Sequence, residues 1–357
     1  MDLPTLWFIL IAALWLGYLF LEGFDLGVGM LLGPLPRNET ERRVMINTVG
    51  PVWDGNEVWL ITAIGAMFAA FPHWYASLLS TLYLPMLVVI LALILRACAF
   101  EWRGKHDSDR WRAWWTGCLT WGSLIIAFGI GQSLAATTLG LPLDADGNRI
   151  GGVLAGFHPL TWIGGVAAVG FALTHGAMYL ALKTEGNLRR RVGRLSRLLI
   201  PVGLLPMLIW ASLVVARTDA WPLLVGVAAA AVSGVTAWWR LAAGREGQAF
   251  TAWGVSLIMT VTTIFAAAYP VVLPSTLSST SDVTVTNAVV SDYTLTVMTW
   301  VAAFGLPVVL AYQGWSYWVF RRRLSTERIP AVHPVEPLPM RLPRQAESSE
   351  PKRVTDT

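Results

Sequence analysis

Four carboxylates stand where apolar sequence surrounds them. The chain has 22 acidic residues, yet inside its hydrophobic runs the acids are Glu22, Asp25, Asp54 and Glu57, all in the first two runs. An ionisable group within a membrane span is costly and faces a partner, a cavity or a proton route. Glu22 and Asp25 are three residues apart, as are Asp54 and Glu57, so each pair shares one helix face. A base, Arg96, closes the third run. Acids and a base at one depth suit proton uptake and transfer. Gly50-Pro51, just before Asp54, loosens the start of the second run and admits water. Bland readings stand beside this one: Arg96 as a snorkelling anchor, and Glu22 and Glu57 as groups that reach the interface. The short side chains of Asp25 and Asp54 snorkel poorly. Asp54 therefore leads the candidates, with Asp25, Glu57 and Arg96 beside it. Trp53 and Trp59 flank the carboxylate and read as packing or interface residues.

Other chemistries are poorly supplied. Of the five histidines only His175 falls clearly within a run, where it reads as hydrogen-bonded packing. Cys98 and Cys118 lie in or beside separate runs without ligand spacing and read as inert. Catalytic, cofactor-binding and metal-ligating residues are expected to be absent from this chain. No phosphate loop, dinucleotide fingerprint or hydrolase triad occurs; the glycine-rich 23–29 stretch lies inside a helix and permits close helix contact instead.

The elements that must place these residues follow from composition. With 357 residues, 55% hydrophobic and 13% charged, the chain reads as an all-α polytopic membrane protein. Nine runs are long enough to cross: 6–32, 53–71, 74–99, 112–137, 159–182, 198–216, 221–239, 249–271 and 294–320. With the N-terminus outside, 24 of the 26 Lys and Arg fall on the inner side and only Arg149 and Arg217 outside. That asymmetry sets N-out and C-in, and it supports an odd number of spans. The same basic clusters argue against nucleic acid as a partner. At ~1.5 Å per residue, Asp25 and Asp54 lie about 28 and 27 Å inward from the outer ends of their helices, and Arg96 about 33 Å from Trp74.

The expected organisation is a first four-helix bundle over 1–138 with the inner acids, a second over 139–272, an outer loop and ninth helix over 273–323, and a disordered cytoplasmic tail over 324–357. The outer loop 139–159 is turn-rich, and the outer connection 274–292 is Ser/Thr-rich. A faint echo between 17–27 and 170–179 permits a four-plus-four repeat, although shared glycine spacing for helix packing explains it nearly as well.

Three blocks carry a likeness to a known family: Glu22-Gly-Phe-Asp-Leu-Gly-Val-Gly-Met30, Asn38-Glu-Thr-Glu-Arg-Arg-Val-Met-Ile-Asn47 and Trp53-Asp-Gly-Asn-Glu-Val-Trp-Leu60. Ala69-Ala-Phe-Pro72, Pro274-Ser-Thr276 and Leu295-Thr-Val-Met-Thr-Trp300 extend it. The chain resembles subunit II of the cytochrome bd quinol oxidases. The resemblance implies a haem-free, nine-helix subunit of the bacterial plasma membrane, paired with a subunit I that carries two b-type haems and haem d. In that family quinol is oxidised near the outer face and oxygen is reduced to water with cytoplasmic protons, building membrane potential without a pumping cycle. Small accessory membrane subunits occur. The likeness assigns Asp54 to the proton entry route at the subunit interface, places Asp25 and Arg96 in an inner polar cluster, and sets Trp59 beside an oxygen path. Some relatives carry Gln in place of Glu57, so no obligatory role transfers to it.

The rival from another class is a proton- or ion-coupled secondary transporter, with the weak repeat as its two halves. Such a protein places polar groups near the bilayer midplane, and here the midplane is almost bare.

Overall fold

The computed structural model describes residues 1–325. Within them the chain forms α1 (Leu3–Leu31), α2 (Glu39–Val49), α3 (Trp53–Ala70), α4 (Pro72–Thr81), α5 (Tyr83–Trp102), α6 (Asp109–Leu139), α7 (Trp162–Lys183), α8 (Gly186–Arg217), α9 (Leu224–Ala242), α10 (Glu246–Ala268), α11 (Val285–Ala288) and α12 (Asp292–Val319). A short antiparallel pair, β1 (Val271–Leu273) with β2 (Val283–Thr284), lies in the connection before α12. Eight helical segments are long and apolar enough to cross a membrane among the described residues: α1, α5, α6, α7, α8, Trp221–Ala242, α10 and α12.

Two sequence expectations need revision, and a third run keeps its expected helix. The 53–71 run forms α3, 18 residues long, but it is not one of those eight segments, because Asp54, Gly55, Asn56 and Glu57 make its first turns polar. The 74–99 run is not one helix: it breaks at Leu82 between α4 and α5. Pro85 has no N–H to give the Thr81 carbonyl, which removes one helical hydrogen bond across the break, and the Thr81 hydroxyl donates to the Ser77 carbonyl at 2.7 Å. The basic stretch 186–197 is not loop but the first three turns of the 32-residue α8, separated from α7 by Thr184 and Glu185 alone.

An unexpected amphipathic helix, α2, covers the end of the molecule where Arg103 and Arg191 also lie. Asn38 caps it, its side chain accepting from the Glu41 N–H at 2.9 Å, and Glu41 in turn accepts from the Arg37 N–H at 2.7 Å. At the opposite end, Asp144 Oδ1 accepts from the N–H groups of Asp146 and Asn148, which builds the turn the sequence shows there.

Packing centres on α7, which runs against α1, α6, α8 and α10, while α9 pairs with α10 and α5 with α6. Small residues make this density possible. A Cβ on Gly27 of α1 would fall inside the Ala172 carbonyl of α7, and one on Gly131 of α6 inside the Gly164 carbonyl. Without a hydrophobic drive between helices in lipid, this close backbone approach gives the dispersion contacts that associate them. By contrast, α12 buries only Leu295 and meets α1 and α3.

Beyond α12 the chain turns back over the basic end. Leu324 N–H donates to the Lys183 carbonyl at 2.8 Å, Lys183 Nζ donates to the Phe320 carbonyl, and Arg323 reaches Glu246 at 3.4 Å. The first residue of the expected disordered tail is thus paired; the rest of that tail, 326–357, lies outside the described residues.

Candidate functional site: a buried acid cluster at the basic end

Helices α1, α3, α5 and α12 bring polar side chains together. From α1 come Glu22 and Asp25, one turn apart and both fully buried. From α5 comes Arg96, whose Nη1 lies 2.6 Å from Glu22 Oε1 and 3.6 Å from Glu57 Oε2. The side chains of Arg96 and Glu22 are 0% exposed, and that of Glu57 is 16% exposed. The Arg96 guanidinium also sits 5.2 Å above the Phe100 ring, which stacks on Trp53 at 4.7 Å. Arg96 precedes Arg103 by two helical turns, so the cluster lies about 10 Å inside the basic end.

Asp25 joins through an amide. Asn56, one residue before Glu57 and itself fully buried, donates its Nδ2 to Asp25 Oδ2 at 2.6 Å. Its Oδ1 accepts from Gln313 Nε2 at 2.9 Å and from the Tyr317 hydroxyl at 2.7 Å, both on α12. Two carboxylates therefore pair with one guanidinium, and a third, Asp25, joins them through Asn56 in a region largely closed by protein. Charge pairing repays desolvation only where the geometry is good, and removing one partner of a buried pair costs about 3–5 kcal/mol.

The sequence candidates are thus distributed unevenly. Asp25, Glu57 and Arg96 converge, with Glu22 as the closest partner of Arg96. Asp54 does not join them: it is exposed on the first turn of α3. Trp53 packs on Phe100, while Trp59 lies over Gly17 and donates its indole N–H to Gln313 Oε1 at 2.8 Å. Sequence reasoning missed Asn56, Gln313 and Tyr317. The last two are four apart on an apolar helix, a polar pair on one face that the spacing alone could have shown.

His175 is a packed histidine. Its Nε2 lies 3.1 Å from the Phe20 carbonyl, and its ring is stacked between Phe250 at 4.3 Å and Phe171 at 4.8 Å. No group of three or more His, Cys, Asp or Glu suited to a metal occurs among the described residues.

A second ionic cluster caps the basic end. Arg191 binds Glu41 through both terminal nitrogens, at 3.0 and 2.8 Å, and Glu39 meets Arg103 at 2.8 Å and Arg42 at 3.0 Å. The hydrogen bonds from Arg191 hold the Glu41 carboxyl below its usual range.

Fold and site together define a multi-pass helical membrane protein with an ionic cluster sealed just inside its basic face. Comparison with known proteins gives the family: residues 3–320 match the model for cytochrome bd terminal oxidase subunit II, and the chain belongs to that family. It is 42% identical over 329 residues to the cytochrome bd ubiquinol oxidase subunit 2 of Bacillus subtilis, covering 91% of this chain and 97% of the relative. Against the cytochrome bd-I ubiquinol oxidase subunit 2 of Escherichia coli K12 it is 33% identical over 369 residues, covering 92% and 96%. Its fold matches a chain in the structure of the bd oxidase from Geobacillus thermodenitrificans with a TM-score of 0.73 at 18% identity, covering 90% of this chain and 99% of that one. The chain is therefore a subunit of a bd-type oxidase complex, which displaces the transporter reading.

Proposed function

We propose that this chain is the haem-free second subunit of a quinol:oxygen oxidoreductase, that it stabilises a haem-bearing subunit I in a heterodimer, and that it conducts cytoplasmic protons toward the partner's oxygen-reducing site. Two b-type haems and haem d belong to that partner, quinol is the substrate of the complex, and small accessory subunits are compatible with its exposed helices. In this reading α3 is the ninth span, the basic end faces the cytoplasm, and the N-terminus lies outside. The contacts of α1, α3, α5 and α6 with one another, and of α7 to α10, suit two four-helix bundles with α12 added.

The observation that carries the proton route is the enclosure of Glu22, Asp25 and Glu57 around Arg96 about 10 Å from the basic end. Exposed Asp54 stands one turn before Glu57 on the same face, where it accepts protons at the mouth and passes them inward. Three carboxylates outnumber the one cation among them, and in this reading the excess is carried as protons the cluster can exchange.

In the assembled oxidase, Asp54→Asn slows quinol oxidation and proton uptake, and Asp54→Glu is milder. Unchanged turnover and uptake in an assembled Asp54→Asn complex would remove Asp54 from the route.

A further inference from the structure

The proton-route reading leaves open why α12, which buries so little, carries Gln313 and Tyr317 against α3. Their hydrogen bonds form a chain whose direction is set at both ends. An indole N–H can only donate, so Trp59 Nε1 at 2.8 Å requires Gln313 to present its oxygen. The Gln313 amide then turns its NH2 to Asn56, whose oxygen must face it at 2.9 Å. The Tyr317 hydroxyl donates to that same oxygen at 2.7 Å. A backbone carbonyl can only accept, and the Leu21 carbonyl lies 3.4 Å from Asn56 Nδ2, which fixes the amide in the same sense from the other side. What remains for Asn56 is to donate to Asp25 Oδ2.

We infer that Trp59 and Gln313 are positioning residues that lock the Asn56 amide with its NH2 toward Asp25. The lock makes Oδ2 a permanent acceptor and leaves Oδ1, which the amide does not engage, as the oxygen that takes the proton. An Asn56 turned over would offer Asp25 a carbonyl and pin the proton between the two oxygens. The charged and titratable groups facing Asp25 are Glu22 on its own helix, Glu57 on α3, Arg96 on α5, Tyr179 on α7 and Tyr317 on α12. Trp59 gives its indole N–H to Gln313 and not to any of these groups, so substitution there reaches Asp25 through the amide chain.

This assignment rests on the proton-route reading for its purpose, but its test does not. In the intact quinol oxidase complex, infrared difference spectra identify the Asp25 carboxyl band by its loss in Asp25→Asn. With Trp59→Phe, and separately with Gln313→Met, the band moves, and kcat falls several-fold while the KM for quinol holds. Thr299→Val, which removes the 3.0 Å bond from Trp7 Nε1 to the same helix, leaves the band in place. Should Trp59→Phe fail to assemble, Gln313→Met reports the same lock one link nearer. A band at the native position in these variants, or an equal displacement in Thr299→Val, overturns the assignment. Native turnover in Asp25→Asn would instead refute the proton route, with the band still deciding how Asn56 is held.

Discussion

Two ionic clusters lie about two helical turns apart and are built on opposite principles. At the basic end, Glu39 and Glu41 are matched by Arg42, Arg103 and Arg191 through short, partly exposed pairs. Deeper in, Glu22, Asp25 and Glu57 face one cation among the described residues, Arg96; Glu22, Asp25 and Arg96 are fully buried and Glu57 is 16% exposed. The matched charges act as clasps between α2, α5 and α8. In the proposed reading the outnumbering acids of the inner cluster carry exchangeable protons, and their burial makes the cluster costly to disturb. The difference teaches that cation count and enclosure, more than the number of acids, set the two clusters apart, and the proposed proton role rests on that difference.

Substitutions on the two sides should differ accordingly. The largest effect is expected from Arg96→Met, which leaves Glu22 buried without its cation. It should lower the stability of the purified complex by about 3–5 kcal/mol or prevent assembly, read by thermal unfolding and by recovery of the partner subunit. The corresponding change in the outer cluster, Arg191→Gln, should cost roughly 1 kcal/mol and leave turnover intact. Equal losses from the two would erase the distinction.

The smallest effect is one of pH. Glu41 carries a carboxyl held below its ordinary value of 4.5 by Arg191. Stability from this pair is fully present above that value and is lost as pH falls through the lowered one. The thermal midpoint of the native complex should therefore fall more steeply on acidification than that of Glu41→Gln, with the two curves converging at the acid end.

Much of this arrangement was legible in the sequence because single acids in apolar runs are conspicuous. Glu22, Asp25, Glu57 and Arg96 were all identifiable, whereas of the three residues that helix-period reasoning put at one depth, Asp25 and Arg96 lie in the buried cluster and Asp54 is exposed. The depth estimate for Arg96 counted along a continuous helix from Trp74 that is broken at Leu82, so its agreement owes something to the break being short. What hydropathy could not reveal was direction around a helix. Asp54 and Glu57 share a face by spacing, yet Asp54, on the first turn, stays at the surface while Glu57 turns inward. Asn56 was hidden for a different reason: a neutral amide beside two acids attracts no attention until its partners on α12, more than 250 residues away in sequence, are brought to it. Helix α2 escaped because an amphipathic segment on a basic loop has no apolar run, although Asn38 followed three residues later by Glu41 is a helix-start pattern.

The central claim is that the enclosed acids carry protons. Proton uptake from the side of the basic end, followed during a single turnover with oxygen in the complex bearing Glu22→Gln, tests it most directly. The amide keeps the shape of the carboxyl and cannot bind and release a proton in its place. The account predicts uptake slowed on the order of a hundredfold with the complex assembled; uptake at the native rate in that assembled complex would contradict it.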